Sequence, residues 1–290
     1  MKLPTNATGN LPNLIIIGAK KCGTTSLHYY LSIHPEVLMS REKEVNFFAS
    51  EGNWDKGVEW YKSNFVGNAK IYGEASPQYT GYPHCNGVPV KMHSVVPHAK
   101  LIYIIRDPIE RMLSDYTHLI ASGSETRPLA EALADYASSY FSRSQYFMQL
   151  EQYLQFYPPS QILVITQEDL LQRRNETLRT IFNFLEVDVT FQSLRFSIAK
   201  HQSRNKRRMS QRGKSLTRMP IMSSLKQWSP SLYGYLSWFI YYPFSHRVEP
   251  PALNHKLRSH LAEYLRDDIN RLKAYTGRDF AEWSVYSARE

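Results

Sequence analysis

Along the chain, short solid apolar runs are separated by longer stretches in which apolar positions recur every three or four residues. The run Leu14–Ile17 is the first, and Lys70–Glu74, Lys100–Pro108 and Gln161–Leu170 follow. Runs of this length, rich in β-branched residues, predict strands. The periodic stretches predict helices over Thr25–His34 (stopped by Pro35), roughly Trp54–Phe65, Pro108–Ser122, Gln145–Tyr157 and Asn175–Leu185. Asp107-Pro108 is a good N-cap followed by proline at the first helical position. Strands alternating with helices imply an α/β fold, a central parallel sheet flanked by helices. The predicted core covers about residues 11–190. After residue 190 the alternation stops. A basic loop, about 196–220, leads into an aromatic and helical extension, about 225–290, whose terminal helix runs over about Ala252–Tyr275 and closes at Gly277. No internal repeat or dividing linker is visible, so one domain over 1–290 is the simplest organisation.

Composition narrows the class. The 290 residues are 42% apolar, enough for a full core. No run of 18 clearly apolar residues occurs, and the opening MKLPTNATGNLPN carries no signal-peptide pattern, so a cytoplasmic protein without a transmembrane segment is expected. Two cysteines, Cys22 and Cys85, cannot build a disulfide framework or a four-ligand zinc site. The sequons at Asn6 and Asn175 read as chance matches. Net charge is +9, but Lys200–Arg218 holds eight Lys/Arg and no acid. The basicity is therefore local. It suggests one anionic ligand or a basic loop rather than nucleic acid, and aromatics are not interleaved with it as single-strand binding favours. The uncharged stretch Gln227–Ser245 is broken by Pro230, Gly234 and Pro243, so packing on the sheet or on a second subunit of a homo-oligomer is favoured over an acceptor pocket or membrane contact.

Candidate chemistry begins at LIIIGAKKCGTTSLHYYL, Leu14–Leu31. Gly18 and Gly23 have Walker A spacing, but Thr24 stands where the lysine belongs, and Lys20 and Lys21 lie inside the loop. A strand–turn–helix still offers backbone N–H groups to an anion. Thr24, Thr25 and Ser26 add hydroxyls, and Lys21 can reach a bound phosphate. The competing reading is an ordinary βα turn with accidental hydroxyls. In IIRDPIERMLSDYTH, Ile104–His118, Arg106 falls at the carboxyl end of a strand, where α/β ligands bind, and Ser114 two turns into the next helix. Arginine suits phosphate capture, although surface pairing with Asp107 or Glu110 is the alternative. In SREKEVNFFAS, Ser40–Ser50, the phenylalanines anchor the segment and leave Glu42 or Glu44 at a cleft edge, where a glutamate can act as general base.

Taken together, these motifs resemble the sulfotransferase family, nearest to its heparan-sulfate-type branch and bacterial relatives. The resemblance is specific over Leu11–His118 and looser through QILVITQEDL, TLRTIFNFLEV and YTGRDFAEW. It implies a P-loop-like domain that uses 3′-phosphoadenosine 5′-phosphosulfate (PAPS), with 3′-phosphoadenosine 5′-phosphate (PAP) as product and no metal. Gly23, Thr24, Thr25 and Ser26 match the 5′-phosphate loop, with Lys20 and Cys22 in the same turn. Lys21 matches the lysine beside the leaving oxygen, Arg106 and Ser114 the 3′-phosphate ligands, and Glu44 the base. The basic loop falls where the family covers the 3′-phosphate, so Arg204, Lys206 and Arg207 are candidates. A solvated charge run or a polyanionic-acceptor contact are the other readings. Two departures concern acceptor handling: Asn46 replaces a histidine and Ala75 replaces a lysine of the 3-O-sulfating enzymes. Phe48, Glu74, Ser76, Tyr79 and His118 complete the expected acceptor cleft, and His28 could assist, although a lone helical histidine is more often structural. The implied acceptor is a hydroxyl or amino group of a small metabolite, natural product or oligosaccharide, in a bacterial cytosolic enzyme. A P-loop kinase and a polyanion-binding protein are the rivals.

Overall fold

The computed structural model describes residues 9–198, 207–210, 242–247 and 251–287, with isolated positions 216, 224, 228–229, 233–234, 236 and 239. Five strands, β1 (Leu14–Gly18), β2 (Val37–Met39), β3 (Ile71–Ala75), β4 (Lys100–Ile105) and β5 (Ile162–Thr166), form one sheet in the order β2-β3-β1-β4-β5. Every pairing is parallel, with Ile16 beside Ala75 on one flank and Ile102 on the other. β1 is central, and Leu14 to Ile17 are wholly buried. That explains its unbroken apolar run: a central parallel strand is covered on both faces. The chain leaves β1 to build β2 and β3 on one side and returns past it to build β4 and β5 on the other. Its carboxyl end is therefore the switch point at which such sheets bind ligands.

The predicted strands appear within one or two residues at their starts. β2 was not anticipated, because three residues after Pro35 are too few to show a period; it pairs Val37 with Ile71 at the sheet edge. The expected helix over Trp54–Phe65 is two short ones, Glu51–Trp54 and Gly57–Lys62, separated where Gly57 takes φ +77°. Pro108–Ser122 is helical as predicted, and Asp107 caps it: its Oδ1 accepts from the N–H groups of Ile109 (2.9 Å) and Glu110 (3.1 Å). The last long helix, His255–Thr276, is capped by Asn254, whose Oδ1 accepts from Leu257 N at 2.8 Å, and ends at Gly277 with φ +67°.

The chain divides into two compact units: one comprises Met1–Met112, Leu133–His201 and Leu253–Glu290, the other Leu113–Ala132 and Gln202–Ala252. The first carries the five-stranded sheet. The second contains a small antiparallel pair, β6 (Arg207–Met209) with β7 (Ser245–Arg247). Among the described residues no helix is long and apolar enough to cross a membrane.

Candidate active site

The turn between β1 and the helix α1 (Thr24–Leu31) is shaped by its glycines. A Cβ on Gly18 would lie 2.0 Å from Thr80 Oγ1, so only glycine lets the strand end this close to the neighbouring segment. Gly23 takes φ +95° as the residue before α1, and a Cβ there would come within 3.0 Å of Gln167 Nε2. The first backbone bond into α1 is Leu27 N to Gly23 O, 3.1 Å, which leaves the N–H groups of Thr24, Thr25 and Ser26 ahead of the helical ladder. Lys21, at φ +73°, and the Thr24 and Thr25 side chains make no hydrogen bond or ion pair among the described residues. Lys20 and Ser26 are both engaged within the protein.

Cys22 departs from the expectation that it contacts the ligand. Its side chain is fully buried, its Sγ lies 3.7 Å from Tyr146 Oη, and its N–H donates to Ala19 O. Burial pushes the thiol up to about 11, so it is an internal packing group. Tyr146 in turn packs on Trp283, ring centroids 6.0 Å apart. The next residue, Ser284, donates from its N–H to Asp107 Oδ2 at 2.6 Å. The segment Phe280–Ser284 thus backs both the turn after β1 and the turn after β4.

Arg106 follows β4 at the same end of the sheet. Its Nε is buried with no partner among the described residues, and its positive charge acts on both Cys22 and Glu168. Glu168, just beyond β5, accepts from Asp107 N at 3.0 Å through Oε1, while its Oε2 is buried and unpaired. Burial raises the Glu168 carboxyl above its usual range. Gln167 and Glu168 were not anticipated as site residues. Their place at the end of a strand is the signal that could have found them. Ser114 (buried) and His118 (half-buried) both lie in the second unit, on the helix that follows Arg106. Arg204 and Lys206 lie outside the described residues. Arg207 is tied within its own unit: Nε donates to Ser245 Oγ at 2.8 Å, Nη2 also reaches Ser245 O, and the guanidinium lies over the Tyr242 ring at 4.6 Å. Its guanidinium therefore holds the β6–β7 pair, which is not the ligand role expected of it.

The loop after β2 carries Glu44. Its side chain is 49% exposed and pairs with Lys43 Nζ at 2.7 Å. Asn46, at φ +50°, fixes the loop from both sides: its N–H donates to Ser76 Oγ (2.9 Å) and its Nδ2 to Glu44 O (3.2 Å). The expected cleft residues behind it are interior. Phe48 is 1% exposed, in an aromatic cluster with Phe47, Trp54, Tyr61 and Tyr79. Glu74 is fully buried and accepts from Tyr61 Oη (2.5 Å), Ser76 Oγ (2.6 Å) and Tyr79 Oη (2.8 Å). Burial raises its carboxyl, against the pull of those three donors. Phe48, Glu74, Ser76 and Tyr79 thus form the support under the Glu44 loop and are not solvent-accessible contacts. Sequence could not tell support from cleft here, because a buried carboxylate with three hydroxyl partners looks polar on paper.

The geometry at the end of β1 has relatives. The model of the sulfotransferase domain matches residues 11–228. The chain belongs to the sulfotransferase domain family. It is 42% identical over 111 residues to the membrane-associated sulfotransferase kil1 of Dictyostelium discoideum, a match covering 37% of this chain and 22% of that protein. It is 31% identical over 191 residues to human heparan sulfate glucosamine 3-O-sulfotransferase 5, covering 61% of this chain and 54% of the relative. These matches span between about a fifth and a half of the relatives' own length. The fold resembles that of a sulfotransferase from Alicyclobacillus acidocaldarius, with TM-score 0.66 at 24% identity, covering 94% of this chain and 99% of that one. The sulfotransferase domain thus takes in the β1 turn, the Glu44 loop and Arg106.

Proposed function

We propose that the protein is a PAPS-dependent sulfotransferase acting on a hydroxyl or amino group of a small metabolite, natural product or oligosaccharide. The observation that carries this reading is the turn after β1. Its ammonium at Lys21, the hydroxyls of Thr24 and Thr25 and the first N–H groups of α1 share one turn, and those side chains have no partner among the described residues. Donors gathered in this way at a helix start suit an anion, and the buried, unpaired Nε of Arg106 at the same sheet end suits a second one. A ligand with two separated phosphate groups fits this pair, as PAPS does. When bound, PAPS supplies the sulfuryl group.

The chain's own residues then have distinct tasks. Thr24, Thr25 and Ser26 orient the 5′-phosphate, and Arg106 holds the 3′-phosphate. Lys21 offsets negative charge at the leaving oxygen, the kind of fixed electrostatic support that carries much of a transfer reaction. Glu44 receives the proton of the attacking acceptor. It is accessible, and its backbone is held by Asn46. The Lys43–Glu44 pair is exposed and opens at little cost. A cytoplasmic location and a bacterial source belong to the same proposal.

Transfer of labelled sulfate to a panel of phenols, sugars, lipids, amines and guanidines tests the reading, alongside calorimetry with PAP. Glu44→Gln is expected to lower kcat by ~10²–10⁴-fold with PAP affinity kept, and Lys21→Ala to lower turnover strongly. Wild-type rates in both variants, or no PAP uptake by folded protein, would overturn it.

A further inference from the structure

Tyr79, part of the support under the Glu44 loop, also walls a cavity of about 180 Å³. None of the lining residues belongs to the turn after β1 or to the Glu44 loop. One wall is the segment from Tyr79 to Val90. The other is the helix Tyr146–Leu154 with the turn that follows it. Gln149, 1% exposed, ties the two walls together: its Oε1 accepts from Tyr82 N at 2.9 Å and its Nε2 donates to Tyr82 O at 2.7 Å. Tyr153 Oη adds a bond to Tyr79 O at 2.7 Å. Buried bonds thus fix the gap between the walls.

The lining selects by size, surface and charge. An apolar cavity of about 150 Å³ is enough to take up benzene, so this one has room for a single six-membered ring with a small substituent. Four rings face it, those of Tyr79, Tyr82, Tyr153 and Phe156, and an aromatic guest gains about 0.5–1.5 kcal/mol for each favourable ring pair beyond the area it buries. No lining residue is charged. An ion would therefore lose its hydration without meeting an opposite charge. The Tyr82 hydroxyl and the Gln155 amide have no hydrogen-bond partner among the described residues and remain available to a neutral polar group.

We infer that this cavity is a second small-molecule site, taking one uncharged aromatic ring that bears a carboxamide or hydroxyl group, with Tyr82 Oη as a polar contact. The site requires neither the sulfuryl donor nor Glu44, so it stands or falls apart from the sulfotransferase reading.

Cys85 reports on occupancy. It lines the cavity as a half-buried free thiol, whereas the other cysteine, Cys22, is fully buried. The test follows alkylation of Cys85 by iodoacetamide in the full chain, without PAP, against three probes of one shape: benzamide, its charged counterpart benzoate, and the non-aromatic cyclohexanecarboxamide. Benzamide is expected to slow the labelling as 1 + [L]/Kd, about tenfold near nine times Kd, and to shift the side-chain amide NMR signals of Gln152 and Gln155. Benzoate should bind at least roughly tenfold more weakly, and cyclohexanecarboxamide roughly two- to tenfold. Tyr82→Phe removes only the hydroxyl and should weaken benzamide roughly two- to tenfold. Val90→Trp, at a rim position 49% exposed, fills the cavity with an indole and should abolish the protection. No protection by benzamide, equal protection by benzoate, or unchanged protection in either variant would overturn the inference. PAP affinity should stay within about twofold in both variants; a larger loss would make the cavity part of the donor site and end its standing as a second one.

Discussion

Gly23 and His28 stand less than two turns apart, yet they act through different physics. Gly23 is fixed by conformation: at φ +95° an L side chain is strained, and a Cβ there would press on Gln167 Nε2 at 3.0 Å. Gly23→Ala is expected to cost about 1–2 kcal/mol, read as a lower urea midpoint, and to weaken PAP binding by tilting the first N–H groups of α1. His28 is fixed by solvation. Its folded pKa of about 4 lies below the ordinary 6.5, so between those values the unfolded chain binds more protons. Stability from this residue is therefore full above pH 6.5 and is lost as pH falls toward 4. The stability difference between wild type and His28→Phe should shrink on acidification through that window, by at most about 1.4 kcal/mol per pH unit. A flat difference across pH 4 to 6.5 would contradict a neutral, desolvated ring.

At the scale of elements, a single carboxylate joins two pieces of chain. Asp107 starts the helix Pro108–Ser122 and also accepts from Ser284 N–H and Oγ. Loss of a cap costs about 1 kcal/mol; leaving the buried Ser284 N–H without a partner adds about 1–3 kcal/mol. Asp107→Ala should therefore destabilise by about 2–4 kcal/mol in urea unfolding, more than a cap alone. A loss of only about 1 kcal/mol would mean that the tie to Ser284 contributes nothing. The D-P pair was legible as a cap because N-capping depends on neighbours in sequence. The Ser284 tie was not, since it joins residues 177 positions apart.

For the whole molecule, the terminal segment is part of the site's foundation. Trp283 is 1% exposed, stacked on Phe280 at 4.2 Å and packed on Tyr146, which meets Cys22 from behind. Trp283→Ala is expected to cost about 3–5 kcal/mol in urea unfolding. It should also loosen the turn after β1, seen as faster amide exchange at Lys21–Thr25. Full protection of that turn in the variant would separate the C-terminus from the site.

The sequence alone determined four of the five strands of the main sheet, the longer helices and the residue types of the turn after β1. Each depends on local rules: apolar period, proline and glycine geometry, and spacing within a few residues. The P-loop-like turn, Arg106 at a strand end and Glu44 before its aromatic anchor were all readable in that way. Tertiary structure decided which polar groups are turned into the core. It turned Cys22 inward to Tyr146, sank Glu74 under three hydroxyls, and tied Arg207 to Ser245. It also left His28 Nε2 and Asn46 Oδ1 without a hydrogen-bond partner among the described residues. The partners of Cys22 and Arg207 lie 124 and 38 residues away, those of Glu74 are near in sequence but are turned onto it only by the fold, and burial converts a solvated group into a satisfied core member. No periodicity in one chain records that difference.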